Sequence, residues 1–391
     1  MTTYTLATLA RWSRRGYRTI GSMLVTLGWI FFLSLLIFLF QGPMSYGACL
    51  GDINSDGSVD GVDIASFSKQ FGNACPTTED CTGDIDGDNE VDSADLQYII
   101  KDFGRTGCMT CSLTQLETAM DETLNQFSSD VDFSFSVERL DGYQYTYNRG
   151  ASTLQTSYES ASTSKLVTAV IILRLVDQGY LTLLDRPQDF IASWPIKSGD
   201  TLYDMTLSQL LSFTSGLEKE PLCLHAGAFD FETCVINIAN TNANNGITPG
   251  RRFYYAGTHL QVAGLMAIKA CGVAHWQNIF TEFKANTGLF ATSTYDLPSS
   301  QNPRLAGGMH WTGEEYIQFL RALSKGELLD SALMHQLLSD QTASATIAYS
   351  PIRSRIGEDW HYGFGLWHEC QDETYNCEAG LRVSSPGAYG G

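Results

Sequence analysis

The rhythm of apolar and polar positions changes several times along this 391-residue chain. Residues 23–40 are uncharged and mostly apolar, and follow a stretch carrying Arg11, Arg14, Arg15 and Arg18. That run is long enough to span a bilayer. Two short acidic loops come next, each leading into a helical run that ends in Phe-Gly, at Phe71-Gly72 and Phe103-Gly104. From Ser112 the pattern is helical, with Leu113, Leu116, Met120, Leu124 and Phe127 on one face behind a capped start that includes Glu117. Residues 133–139 and 143–147 then alternate around Asp141-Gly142, which predicts a hairpin. Leu166 to Leu173 is apolar on nearly every face and predicts a buried helix. Strands followed by such a helix predict a mixed α and β unit.

The chemistry starts at the mouth of that buried helix, where the chain reads Ser162-Thr163-Ser164-Lys165. A buried ammonium is costly, so a lysine there needs a task. Desolvation and the helix dipole both push its pKa down. A neutral or proton-sharing lysine one turn from a serine hydroxyl is what nucleophilic acyl transfer requires. Alone, Ser-x-x-Lys is a weak signal.

The acidic loops repeat in register. Asp52, Asn54, Asp56, Ser58, Asp60 and Asp63 are matched by Asp84, Asp86, Asp88, Glu90, Asp92 and Asp95. These fill loop positions 1, 3, 5, 7, 9 and 12, the spacing that wraps Ca²⁺ in oxygen ligands, with position 7 giving its backbone carbonyl. Gly57 allows the sharp turn at position 6, and Asn89 takes that place in the second loop. Ile53, Val59, Ile64 and Phe67, with their counterparts, are expected to form a small core. The pair resembles a type I dockerin over roughly residues 49–108, which implies bound calcium and a cohesin-like partner. Gly61-Val62 and Ser93-Ala94 replace the Ser-Thr-like pair that contacts cohesin in such modules, so a self-contained calcium-stabilised module stays open as the alternative.

Composition sets the surroundings. The formal charge is −19 and no basic cluster follows the first twenty residues, which argues against a nucleic-acid partner. The basic side of the apolar run is N-terminal, so the remainder is expected to be exported to a periplasmic, extracellular or cell-surface location. Cleavage after Ser45-Tyr46-Gly47 is favoured over a retained membrane anchor through residues 23–40. The chain has ten cysteines. Cys75 with Cys81, Cys223 with Cys234 and Cys370 with Cys377 read as local disulfides, and Cys49 and Cys108 as a clasp on the repeat. Disulfides are favoured over zinc at Cys108-Met109-Thr110-Cys111.

Further motifs raise the weight of Ser162. They are Leu210-Leu-Ser-Phe-Thr-Ser-Gly-Leu217, Pro249-Gly-Arg-Arg-Phe-Tyr-Tyr255, Pro303-Arg-Leu-Ala-Gly-Gly-Met309, Tyr362-Gly-Phe-Gly-Leu366 and Ser384-Ser-Pro-Gly387. With Ser162-x-x-Lys165 in this order, residues 112–391 resemble serine hydrolases of the β-lactamase and penicillin-binding-protein superfamily, in the class C, carboxypeptidase and esterase-like branch. The resemblance implies Ser162 as nucleophile, Lys165 as its partner and Tyr255 as base or proton relay. It implies an oxyanion hole from the backbone N–H groups of Ser162 and Ala388. Gly257 stands where asparagine is usual, and Ser385-Pro386-Gly387 takes the place of a third motif that carries a cation in many relatives, so Gly257, Ser385 and Gly387 are expected to line the substrate pocket. His259 reads as a packing residue. His225, His310, His361 and His368 lack metal-ligand spacing and read as structural.

The expected architecture is therefore multidomain. Residues 1–48 form a signal peptide or membrane anchor, and 49–111 a small all-α, EF-hand-like dockerin module. Residues 112–391 form an α+β or α/β β-lactamase-like domain with an antiparallel sheet, helices on both faces and a helical subdomain. The chain ends just past the third motif, which reads as an incomplete C-terminus. The expected activity is hydrolysis of an ester or amide, from a small-molecule or peptide acyl substrate, through an acyl-enzyme without a catalytic cofactor. The rival reading is a scaffold or adhesion protein with a degenerate hydrolase domain, which Gly257 favours.

Overall fold

The computed structural model describes residues 49–75, 81–86, 88–108, 113–127, 131–139, 142–369 and 382–387. The leader 1–48, Cys111, Cys370, Cys377 and Ala388 lie outside the described residues. Among the described residues no helix is long and apolar enough to cross a membrane. The chain divides into two compact units, one holding the described residues of 9–130 with 138–147, the other those of 131–137 with 148–391.

In the first unit the sequence repeat becomes a structural one. Helices α1 (Gly61–Gln70) and α2 (Ser93–Asp102) open with the same reciprocal cap. Val62 N–H donates to Asp60 at 2.7 Å and Asp60 N–H to Asp63 at 2.9 Å; Ala94 donates to Asp92 at 2.6 Å and Asp92 to Asp95 at 2.9 Å. Val59, Phe67, Val91 and Ile99 are buried between the repeats. Ile64, expected in this core, is 37% exposed. Asp63 and Phe67 share the inward face at i, i+4 and turn Ile64 outward. Disulfides join Cys49 to Cys108 and Cys75 to Cys81, as expected from the spacing.

Helix α3 (Leu113–Gln126) differs in one respect from its apolar pattern. Leu124 is buried, yet Leu113 and Leu116 are 48% and 39% exposed. The helix contacts strand β2 (Gln144–Arg149), which follows β1 (Phe133–Glu138), through a polar row instead. Tyr143, Tyr145 and Tyr147 donate to Glu117, Asp121 and Asn125 at 3.1, 2.6 and 2.8 Å. Two residues along a strand and four along a helix cover nearly the same distance, so the rows stay in step. The turn before β2 is closed by Arg139 N–H donating to Tyr143 at 2.9 Å.

The second unit is built on α4 (Ser164–Asp177), which follows β3 (Ser157–Glu159) and is buried from Ser164 through Leu173. Short helices α5 (Pro187–Phe190) and α6 (Leu207–Leu211), then α7 (Phe231–Asn242) and strand β4 (Arg252–Tyr254), lead to α8 (Thr258–Ala270). Helix α8 is as apolar as α4 and packs against it. The remaining helices are α9 (Trp276–Thr287), α10 (Gly313–Ser324), α11 (Ser331–Leu338) and α12 (Pro351–Ile356). Strands β5 (Thr294–Tyr295) and β3 flank β6 (Met309–Thr312), antiparallel to both. A second antiparallel set runs β8 (His361–Tyr362), β9 (Trp367–Glu369), β10 (Arg382–Ser384). The expectation of a single antiparallel sheet needs correction here, because β4 pairs in parallel with β7 (Thr346–Tyr349). The long helical crossover between them is what permits a parallel pair.

Candidate active site

Ser162 sits in a 3-10 turn, Ala161–Thr163, ahead of α4. Ala161 has φ +46°, a left-handed conformation that costs a non-glycine residue about 1–2 kcal/mol. The turn is over-determined. Ser160 N–H donates to Met309 O at 2.8 Å and Met309 N–H to Ser160 Oγ at 3.2 Å. Thr163 Oγ1 donates to Ser160 O at 2.6 Å and receives Trp311 Nε1 at 3.0 Å. The Ala-Gly-Gly-Met motif is thus the strand that pins the serine turn.

Lys165 is buried, 5% exposed, in the first turn of α4. Its Nζ lies 2.9 Å from Ser162 Oγ and 2.6 Å from Ala306 O. Burial lowers its pKa from 10.5 to about 7; Arg304 pushes the same way and Glu220 opposes. The amine is therefore able to hold or release a proton near neutrality. The Tyr-Gly-Phe-Gly-Leu motif explains itself at this point: a Cβ on Gly365 would stand 2.6 Å from Lys165 O, so only glycine lets that loop meet the helix start.

Tyr255 follows β4, and its ring lies under the lysine, with Nζ 4.6 Å from the centroid. Trp367 stacks on its other neighbourhood at 5.1 Å, and Phe213 lies at 5.6 Å. Burial raises the phenol pKa above its ordinary 10, while hydrogen bonding to Ser162 and Trp367 works the other way. The phenol stays protonated at neutral pH. The expectation that Tyr255 ionises beside the lysine is corrected: desolvation outweighs the neighbouring amine, which is itself near neutral. Behind the ring, His259 is fully buried and stacks on Phe213 at 5.0 Å. Its Nε2 is 3.0 Å from Tyr254 O and its Nδ1 2.8 Å from Ser215 Oγ. A carbonyl can only accept, so Nε2 carries the proton. Burial pushes this imidazole down to about 3, as suits a packing residue.

The third motif reaches the same place. β10 pairs with β9, and a Cβ on Gly387 would stand 2.5 Å from Ser160 O. Gly387 therefore packs on the serine turn, and Ser385 Oγ is shielded from solvent nearby in sequence. Gly257 lies at the start of α8 and donates its N–H to Glu220 Oε1. Three side chains that motif reading passed over surround this point. Glu220 Oε2 is 3.6 Å from His225 Nε2, and Arg304 Nη1 is 3.1 Å from His225 Nδ1. The available signals were that Glu220 lies three residues past Leu217, and that Arg304 is the single charge in the Pro303–Met309 motif. His310 and His361 instead pair with Asp296 and Asp340 at 2.7 and 2.6 Å.

In the first unit, both acidic loops wrap inward. Asp63 Oδ1 accepts from Ile53 and Asn54, and Asp95 Oδ1 from Ile85 and Asp86. Gly57 and Asn89 take φ +91° and +73° at the same loop position. Oxygens of Asp84, Asp86 and Asp88 lie within 4.8 Å of one another. Asp86 has its pKa raised by burial, then by the negative charges of Asp95, Asp88 and Asp84. An all-oxygen set of crowded carboxylates suits a hard dication.

The Beta-lactamase family matches residues 139–375, and the Dockerin type I domain residues 50–104. A candidate β-lactamase from Bacteroides dorei is 26% identical, with a TM-score of 0.55 over 71% of this chain and 84% of that one. EstCE1, a hydrolase with promiscuous acyltransferase activity, shares the fold at 15% identity and a TM-score of 0.52, over 66% and 84%. No curated protein matches the chain. The chain belongs to the β-lactamase family of hydrolases and carries a type I dockerin domain ahead of the family's fold.

Proposed function

We propose that this is an exported serine hydrolase that works through an acyl-enzyme on an ester or amide. The observation that carries the reading is the 2.9 Å contact between Ser162 Oγ and a buried lysine whose pKa is lowered to about 7. Neutral Lys165 takes the serine proton as Oγ attacks the carbonyl. Tyr255, protonated, relays a proton to the leaving group. The backbone N–H groups of Ser162 and Ala388 stabilise the oxyanion; such donors are worth roughly 3 to 4 kcal/mol each. Water then releases the acyl group. This geometry favours an enzyme over a degenerate scaffold, since an idle buried lysine would be a net cost. The hydrolase domain is taken as 112–391 and the calcium module as 49–111. Asp52, Asn54, Asp56, Ser58, Asp60 and Asp63 would hold one Ca²⁺, and Asp84, Asp86, Asp88, Glu90, Asp92 and Asp95 a second; the ions fix the loops for a cohesin-like partner. The test is turnover of p-nitrophenyl acetate by the full chain. Ser162→Ala is expected to abolish it together with covalent phosphonate labelling, and unchanged turnover would overturn the mechanism.

A further inference from the structure

The charges around Gly257 carry a second conclusion, which rests on the serine-hydrolase reading of Ser162. Arg304 is always protonated and can only donate, so His225 Nδ1, 3.1 Å away, is the acceptor. The His225 proton then sits on Nε2, which faces Glu220 Oε2 at 3.6 Å. His225 in this arrangement is neutral, and Glu220 keeps its full negative charge. Its neighbour Glu218 is different, being neutralised by Arg252 at 2.9 and 3.2 Å. Among the described residues, no lysine or arginine lies within ion-pair distance of Glu220. The carboxylate is 36% exposed and so reachable.

Its position is fixed on three sides. Lys219 exchanges backbone bonds with the Asn242 side chain at 2.9 and 3.0 Å. Asn302 Nδ2 donates to Cys223 O at 2.8 Å, and Cys223 is bonded to Cys234. Gly257 N–H holds Oε1 directly. A Cβ at Gly257 would come 3.2 Å from that oxygen, so the missing side chain leaves the space beside the carboxylate open toward Tyr255. Glu220 is also close enough to Lys165 for its charge to be felt there.

We propose that Glu220 is the specificity site of this hydrolase and receives an ammonium group next to the scissile carbonyl. The substrate class is then esters and amides of amino acids with a free amino group. Arg304 and His225 hold the carboxylate in place without cancelling it. A fixed, uncompensated anion on a loop ordered before binding gives selectivity without an ordering cost.

The test compares D- and L-alanine p-nitroanilide with propionyl and succinyl p-nitroanilide at pH 7, on the full chain, with p-nitrophenyl acetate as the reference. One alanine enantiomer is expected to exceed the propionyl substrate roughly tenfold or more in kcat/KM, the size of one charge-assisted hydrogen bond. In Glu220→Gln that ratio should fall to near one, whatever happens to the individual rates. A merely structural Glu220 would lower both rates and keep the ratio. A ratio near one in the native chain, a preference for the succinyl substrate, or a ratio that survives Glu220→Gln would overturn the proposal. Binding of alaninamide against propionamide to the Ser162→Ala chain, by calorimetry, gives a readout without turnover. Equal binding overturns the Glu220 site even if the nucleophile is correct, whereas loss of p-nitrophenyl acetate turnover alone counts against the nucleophile.

Discussion

Lowering the lysine pKa from 10.5 to about 7 has a kinetic consequence that can be worked out in advance. Each unit changes the neutral fraction tenfold, so at pH 7 the shift supplies on the order of a thousandfold more neutral amine than an ordinary lysine would. The acid limb of kcat/KM for p-nitrophenyl acetate should bend near pH 7 and fall about tenfold per unit below it. Two flanking charges give the sign of the next step. Arg304 lowers the lysine pKa, so Arg304→Gln should move the limb to higher pH. Glu220 raises it, so Glu220→Gln should move the limb to lower pH. Folding gives a cross-check. Between about 7 and 10.5 the unfolded lysine holds a proton that the folded one has released, so stability rises with pH across that window. Lys165→Met should remove that slope. Denaturant melts at pH 7 and pH 10 measure it. A limb that stays near 10, or one that does not move in either charge variant, would refute the assignment of Lys165 as the base.

Tyr255→Phe keeps the ring stack with Trp367 but deletes the hydroxyl, so kcat for p-nitrophenyl esters should drop roughly a hundredfold or more with little change in melting temperature. Gly365→Ala places a methyl 2.6 Å from Lys165 O; a loss of about 1–3 kcal/mol in denaturant stability is expected, with reduced acylation. Removing calcium with a chelator should lower the melting transition of the first unit and leave p-nitrophenyl acetate turnover in place, read by calorimetry and rate on the same sample. Asp95→Asn weakens the second loop, and chelator should then shift the transition less.

Much of the site was legible because each motif encodes a contact. Ser162 and Lys165 meet since one helical turn separates them, and Gly365 and Gly387 are glycines because backbone presses on them. The repeat at 52–63 and 84–95 was legible as matching caps and loops. Ile64, Leu113 and Leu116 were not, since apolar identity does not say which face wins when a carboxylate such as Asp63 turns inward. The parallel pairing of β4 with β7 was also out of reach, because nothing local marks a partner nearly a hundred residues away. Glu220, His225 and Arg304 belong to no motif. They come together only when the loop after Leu217 folds back on Gly257.

The Cys49–Cys108 bond brings the two ends of the calcium repeat to a Cα separation of 5.4 Å. Tension along the polypeptide would therefore cross from one end to the other through a sulfur bridge and bypass the ion-binding loops. A single-molecule stretch would release little contour length from this segment until the bridge is reduced. A cell-surface protein exposed to drag would keep its docking face folded under forces that would unravel an unbridged copy.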